Sequence, residues 1–257
     1  YLTIFSRIAT RSNSIHLTTM EIFDILPSPL AVVPCPFHEN MKRTIFDEME
    51  KIRDTAWTNF GSDELKHLDS CSVLDLPELE RLSVWIEEQA ETFCKEVKGD
   101  HLVDGVIITD SWLNLCGPGG TQSPHYHTNS YLSGIYYVNF DANIHSPTYF
   151  YKSQNSHMFA PPTPNISLMT DNNTKYTEPQ SFTAQEGEVI LWSSELIHGY
   201  KPNQGDTRVT LSFNIMPKIV TSGEYGWKVE KLSPKERLDC VTNKSHGNIW
   251  GVPHFDQ

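Results

Sequence analysis

The stretch VIITDSWLNLC at residues 106–116 gives the first indication of the fold. It is rich in β-branched and aromatic residues, which favour strands over helices. Comparable stretches follow it, separated by clusters of turn-forming residues, at 131–140, 148–152, 180–184, 188–192 and 208–216. Because no helical pattern lies between them, the sequence predicts a β-sandwich or jelly roll rather than a parallel sheet with crossover helices.

Two helices are predicted before this β region. Residues 38–58 carry Met41, Ile45 and Met49 at helical spacing, with charged residues between them. Residues 77–98 carry a longer apolar stripe that stops at Gly99. Each helix has one apolar face, so both are expected to pack on the β-sandwich.

The predicted organisation is a single jelly-roll domain over residues 20–257. Helical support is expected over 38–98, the β core over 103–217, and a C-terminal extension over 218–257. Residues 1–19 contain arginine and many hydroxyl residues but no acidic residue, and Met20 follows them. We expect them to be an upstream or leader segment outside the fold.

Composition limits the class of partner. The chain has 257 residues and a net charge of −12, which argues against nucleic acid, since phosphate binding uses clustered lysine and arginine. No run approaches the ~18 apolar residues of a membrane span.

The five cysteines are odd in number and form no CxxC pair, so free thiols in a reducing compartment are expected, and with them a cytoplasmic location. A homodimer is expected only because two-fold dimers are the commonest oligomers.

Three histidines have the pattern of a metal site. His125 and His127 are two residues apart in an extended segment, where alternate side chains point to the same face. His198 follows a later apolar strand and is the candidate third ligand, and Arg208 lies ten residues further on. Three ligands on one face of an octahedral ion leave three positions open, as in non-haem iron oxygenases.

The order of these motifs resembles a known superfamily. HYHTNS at residues 125–130 is followed by LSGIYY at 132–137, then by His198 and Arg208. This set resembles the jelly-roll Fe(II)/2-oxoglutarate-dependent dioxygenases, and in particular a small microbial and phage family with the motifs HxHxNS and LSGxYY. The resemblance runs from about residue 20 to residue 217, and its motifs lie between 112 and 216.

The resemblance implies a double-stranded β-helix that binds Fe(II) through His125, His127 and His198. It implies an oxidoreductase that hydroxylates its substrate with O₂ and 2-oxoglutarate and releases succinate and CO₂. The substrate is expected to be a small molecule or a peptide, with a prolyl-type side chain first by analogy. The loop over 141–179, rich in Pro, Asn, Ser and Thr, is expected to shape its pocket.

The resemblance also assigns the cosubstrate site. Arg208 is expected to bind the distal carboxylate of 2-oxoglutarate, because a guanidinium fork matches a carboxylate in geometry. Tyr137 matches a strand tyrosine that binds the same carboxylate in related prolyl hydroxylases. Thr210 stands where the superfamily often has a hydroxyl residue beside the arginine, and Asn114 is expected to line the same pocket.

His127 departs from the wider superfamily, in which an aspartate or glutamate is usual. Three neutral imidazoles leave the full charge of the metal uncompensated. Another register would pair His127 with Asn129, although amides bind iron poorly. A carboxylate could also come from Asp110, Asp141 or Glu195.

Two other functions stay open at the level of sequence. A cupin-type dioxygenase with three histidine ligands would not need 2-oxoglutarate, but it would leave Arg208 and Tyr137 without an obvious role. A non-catalytic jelly-roll module would use the histidines as hydrogen-bonded core residues.

Other features receive structural interpretations. His145 and His157 in the long loop are expected to face solvent, and the histidines outside the motifs, such as His38 and His67, are expected on the surface or at caps. Cys116 is expected to be a buried thiol.

Overall fold

The computed structural model describes residues 15–17, 20–22, 28–51, 58–59, 64–68, 72–151 and 179–232. Within these ranges two α-helices precede the main β region. They are α1, His38–Lys51, and α2, Glu80–Thr92, which follows short 3₁₀ turns at Val73–Asp75 and Pro77–Leu79 and continues as a π-helical turn at Phe93–Lys98. No helix in the described part of the chain is long and apolar enough to cross a membrane.

Fifteen strands are described, and they are numbered in chain order. They are β1 Ile15–Leu17, β2 Met20–Ile22, β3 Leu30–Pro34, β4 Thr58–Asn59, β5 Leu65–Leu68, β6 Val106–Cys116, β7 Gln122–His125, β8 Leu132–Asn139, β9 Thr148–Tyr151, β10 Gln180–Phe182, β11 Glu188–Ser193, β12 Ile197–Tyr200, β13 Arg208–Pro217, β14 Ile219–Ser222 and β15 Tyr225–Lys228.

The strands from β6 to β13 form a jelly roll. A seven-stranded antiparallel sheet has the order β3-β11-β8-β13-β6-β5-β4, and a four-stranded sheet has the order β10-β9-β12-β7. From β6 to β13 successive strands alternate between the two sheets, except that β9 and β10 both lie in the small sheet, so the chain winds around the barrel. The predicted fold class, a mainly β jelly roll with two N-terminal helices, is confirmed.

The two faces of the large sheet have different partners, because side chains alternate along a strand. Tyr136, Leu191 and Phe213 belong to a core cluster that includes Ile45 of α1 and Ile86 of α2. The opposite face carries a second cluster that includes Ile135, Tyr137, Ile190, Trp192 and Phe150 of the small sheet. The helices therefore pack on the outside of the barrel, and the interior lies between the sheets.

Gly134 in the LSGIYY motif has a packing role. A Cβ atom built at this position would lie 2.4 Å from Cζ of Phe213 and 2.8 Å from the carbonyl oxygen of Ile190. The glycine therefore lets β8 lie close to its neighbours in the centre of the large sheet.

The predicted elements agree with the structure for most long segments and for some of the short ones. β6 has the predicted bounds, and α1 begins at the predicted residue, while 52–57 lie outside the described residues. The predicted single helix over 77–98 is instead a 3₁₀ turn, α2 and a π-helical turn, which ends at Gly99 with a left-handed φ of 72°. Among the short strands, β9 and β10 were predicted to within two residues, whereas β3, β5, β7 and β12 were not predicted.

Candidate metal and cosubstrate site

His125 and His198 are brought together by strand pairing. β7 and β12 are antiparallel neighbours in the small sheet, and His198 is the register partner of His125. The centroids of the two rings lie 4.3 Å apart. His198 is buried, with 4% of its surface exposed.

His127 completes the cluster from just beyond the end of β7. Its backbone N–H donates to the carbonyl oxygen of Ser194 over 3.1 Å, which holds this segment against the turn between β11 and β12. Its ring centroid is 5.2 Å from that of His125 and 5.3 Å from that of His198. One candidate ligand atom of each of the three histidines lies within 4.8 Å of the others, which is compatible with a single metal ion.

Hydrogen bonds set the tautomer of two of these imidazoles. Nδ1 of His125 is 2.9 Å from the carbonyl oxygen of Ser123, and Nδ1 of His198 is 2.9 Å from that of Leu196. A carbonyl oxygen only accepts, so both rings carry their proton on Nδ1 when neutral. Nε2 of each ring then has a free lone pair, and a backbone carbonyl behind the ring is a common arrangement around metal-bound histidine.

Burial keeps the cluster uncharged. Burial, with a smaller contribution from the neighbouring His125, lowers the pKa of His198 to about 3 and that of His127 to about 4. Burial also lowers the pKa of His125. All three imidazoles are therefore neutral at pH 7, the form that binds metals.

The cluster contains imidazoles without a carboxylate. Among the described side chains, no Asp or Glu joins the three histidines. Asp110, Asp141 and Glu195, considered above as sources of a carboxylate, are all exposed, and so is Asn129. The donor set that the structure presents is three nitrogen atoms.

Arg208 is buried at the start of β13, with 1% of its surface exposed. Its Nη1 donates to Oγ1 of Thr210 over 3.4 Å, while Nε and Nη2 are buried and have no hydrogen-bond partner in the described part of the protein. Its guanidinium carbon lies 4.4 Å from the ring centroid of Tyr200 and 5.5 Å from that of Tyr137. A buried cation with two unused donors is costly unless an anion binds to it.

The other predicted cosubstrate residues surround this arginine. Thr210 is the register partner of Asn114 on one side and of Tyr137 on the other. Nδ2 of Asn114 donates to Oγ of Ser212 over 2.8 Å, and its buried Oδ1 has no partner among the described residues. The hydroxyl of Tyr137 is 2.8 Å from Oγ1 of Thr148. Burial raises the pKa of Tyr137, so its hydroxyl stays protonated and can donate.

Two site residues were missed by the sequence analysis. Tyr200 is 2% exposed and stacks against Arg208, and its hydroxyl has no oxygen or nitrogen partner in the described ranges. Trp192 packs edge-on against His198, with ring centroids 4.8 Å apart. Strand alternation could have identified Tyr200, because it lies two residues after His198 on the same short strand and therefore faces the same side.

The predicted exposure of several histidines is wrong. His145 is 4% exposed, accepts from the backbone N–H of Asp141 at Nδ1, and places Nε2 2.9 Å from Oδ1 of Asp206. His67 is also buried, whereas His38 is partly exposed at the first residue of α1, with Nδ1 2.6 Å from the hydroxyl of Tyr136. Loop and strand packing buried the rings of His145 and His67, which local sequence does not reveal. His157 lies outside the described residues, whereas Cys116 is a buried free thiol as predicted.

One family model matches the part of the chain that carries these residues. Residues 110–214 match a family model described as "Putative 2OG-Fe(II) oxygenase". The matched segment contains the three histidines and Arg208, together with six complete strands, β7–β12, and most of β6 and β13. No curated protein matches the chain.

Several solved structures share this fold. HygX from Streptomyces hygroscopicus, with nickel, 2-oxoglutarate and hygromycin B bound, is 12% identical with a TM-score of 0.53, over 74% of this chain and 83% of that chain. SnoK, a non-heme alpha ketoglutarate dependent carbocyclase from nogalamycin biosynthesis, is 12% identical with a TM-score of 0.56, over 75% and 81%. The epimerase SnoN, in complex with Fe³⁺, alpha ketoglutarate and nogalamycin RO, is 11% identical with a TM-score of 0.54, over 80% and 91%. At such low identity the likeness concerns the fold.

The family match and the fold point to the same class of protein. The segment that carries the three histidines and Arg208 is similar to the 2OG-Fe(II) oxygenases, oxidoreductases whose family description names Fe(II) and 2-oxoglutarate.

Proposed function

We propose that the protein is an Fe(II)- and 2-oxoglutarate-dependent dioxygenase that hydroxylates a C–H bond of its substrate. The observation that carries this proposal is the buried guanidinium of Arg208, whose Nε and Nη2 have no partner in the described part of the chain. Their geometry suits a carboxylate, which accepts two parallel hydrogen bonds from one guanidinium. The distal carboxylate of 2-oxoglutarate meets this requirement.

The residues fit the implied metal. His125, His127 and His198 would hold iron through ring nitrogens, and imidazole is a suitable ligand for Fe. Bound iron and 2-oxoglutarate would supply the oxidation, in which 2-oxoglutarate and O₂ yield succinate, CO₂ and a hydroxylated product. The contribution of the chain is orientation and exclusion of water.

The protein groups around the arginine have separate roles in this proposal. Arg208 neutralises the cosubstrate, and the faces of Tyr200 and Tyr137 hold the guanidinium in place by cation–π contact. The hydroxyl of Thr210 orients Nη1 from behind, which leaves Nε and Nη2 for the ligand. Asn114, on the neighbouring strand, lines the same face of the sheet.

A second candidate is a three-histidine dioxygenase that does not use 2-oxoglutarate. The observation in its favour is the absence of a carboxylate from the cluster among the described residues. The argument against it is Arg208, because a buried guanidinium with unused donors would have no role in such an enzyme.

The substrate we propose to test first is a peptidyl side chain of the prolyl type. This choice rests on the motif resemblance, and the alternative is a small molecule. Succinate release from 2-oxoglutarate should rise above the substrate-free rate when a proline-containing peptide is hydroxylated. A panel of free metabolites provides the comparison.

The experiment that tests the cosubstrate is an anaerobic titration with Fe(II) and then 2-oxoglutarate. A weak visible metal-to-ligand band after the second addition would support the proposal. Iron binding without this band would favour the three-histidine alternative. Absence of iron binding would overturn both and favour a non-catalytic jelly-roll module.

A further inference from the structure

His127 differs from the other two histidines in what lies behind its ring. His125 and His198 each place Nδ1 at 2.9 Å from a backbone carbonyl oxygen. Nδ1 of His127 instead faces the side-chain amide of Asn214, whose Nδ2 is 3.5 Å away. The tautomer of His127 therefore depends on a side chain that can either donate or accept.

Asn214 lies within a buried series of side-chain hydrogen bonds that links it to Ser133 and Ser194. Oγ of Ser133 is 3.0 Å from Oδ1 of Asn214 and 2.9 Å from Oγ of Ser194. All three residues are at most 3% exposed. The carbonyl oxygen of Ser194 also accepts a hydrogen bond from the backbone N–H of His127. The series of hydrogen bonds therefore begins and ends at the same histidine.

This chain of hydrogen bonds can run in two directions. A serine hydroxyl has one proton, so Ser133 donates either to Asn214 or to Ser194, and not to both. In the first direction the NH₂ of Asn214 faces His127, so Nδ1 must be unprotonated and the proton lies on Nε2. In the second direction the amide is turned, its oxygen accepts from Nδ1–H, and Nε2 has a free lone pair.

We propose that Asn214 is the positioning residue for His127, and that a metal ion binds through Nε2 when the amide oxygen of Asn214 faces Nδ1. This inference depends on the three-histidine centre proposed above. It assigns Ser133, in the LSGIYY motif, the role of accepting a hydrogen bond from the Asn214 NH₂ group in the second direction. Metal binding and the direction of this hydrogen-bond chain are then coupled.

The test uses Zn(II) as the probe, with affinity measured by chelator competition and the tautomer by imidazole ¹⁵N shifts. Asn214→Leu removes the acceptor and should weaken Zn(II) binding about 10- to 100-fold, as expected for loss of an outer-shell partner. Asn214→Asp can only accept, so it should keep the affinity within threefold of the unmodified protein or raise it. Zn(II) should move the proton of His127 from Nε2 to Nδ1.

The matched control is Asn139→Leu, which alters an amide on the same sheet that donates to the carbonyl oxygen of Thr207 instead of contacting a histidine. It should leave Zn(II) affinity unchanged, and thermal unfolding checks that each variant is folded. Unchanged affinity in folded Asn214→Leu would overturn the positioning role while the metal centre stands. If the unmodified protein binds neither Zn(II) nor Fe(II), the centre itself is refuted, and the inference with it.

Discussion

His198 and His125 are register partners on adjacent strands, and their ring centroids lie 4.3 Å apart. Their Nδ1 atoms both face carbonyl oxygens two residues earlier in the chain, at the same distance of 2.9 Å. The β7–β12 pair thus presents two equivalent nitrogen ligands side by side. His127 adds the third ligand from the segment that leaves β7.

Replacing His198 with alanine should abolish the iron site. Two imidazoles would remain, and the loss in Fe(II) affinity should exceed the roughly 10- to 100-fold that removal of an outer-shell partner costs. Anaerobic Fe(II) titration followed by 2-oxoglutarate measures it. His101→Ala, at an exposed histidine, is the control and should titrate normally. Unchanged 2-oxoglutarate consumption by His198→Ala would refute the assigned ligand.

Arg208→Met should weaken 2-oxoglutarate binding selectively. Truncating one member of a buried charge pair costs about 2–5 kcal/mol, which is at least about 30-fold in the dissociation constant. Pyruvate keeps the 2-oxoacid group but lacks the distal carboxylate, so its affinity should change much less. Calorimetry with both ligands on the metal-loaded protein gives the comparison. An equal loss for both ligands would contradict the pairing of Arg208 with the distal carboxylate.

Tyr200→Phe tests the hydroxyl of the tyrosine that stacks on Arg208. The variant keeps the ring 4.4 Å from the guanidinium, and the hydroxyl it removes has no oxygen or nitrogen partner in the described ranges. If the hydroxyl donates to the cosubstrate, 2-oxoglutarate affinity should fall roughly 3- to 10-fold, the value of a typical hydrogen bond. The melting temperature should change little. Unaltered affinity would show that only the ring of Tyr200 serves the site.

Asn203→Ala should destabilise the turn that leads into β13. Asn203 is 1% exposed, and Nδ2 lies 2.8 Å from the carbonyl oxygen of Asp206 and 3.1 Å from that of Cys116. Leaving these buried carbonyls without a donor should cost about 1–3 kcal/mol in the free energy of unfolding. Urea denaturation measures this. Gln204→Ala, in the exposed neighbour, should stay within about 0.5 kcal/mol, and equal effects of the two changes would contradict the prediction.

Long elements could be predicted from the sequence because each carries its own pattern. β6 and β13 are ten residues or more in length and rich in β-branched residues, and the stripe of α2 covers several turns. β7 and β12 have four residues each, yet they carry His125 and His198. Their pairing depends on contacts between distant parts of the chain, so local periodicity could not reveal it.

The sequence predicted the residue types of the candidate site. It did not predict which other side chains lie around them. The order of His125, His127, His198 and Arg208 was enough to predict a metal centre with an anion-binding residue. The sequence could not show whether a carboxylate joins the histidines. Asp110, Asp141 and Glu195 all lie near the motifs in sequence, and no local feature shows which of them reaches the cluster. The structure leaves all three exposed and outside the cluster.

Residue order along single strands was sufficient for the jelly-roll class and, with the motif resemblance, for naming the candidate site residues. This is because alternation, spacing and side-chain type are local properties. The partners across strands were not accessible in this way: the stacking of Tyr200 on Arg208 and the amide of Asn214 behind His127 both join residues from different segments. Such contacts depend on register and on the approach of two sheets, which the packing of the whole barrel sets.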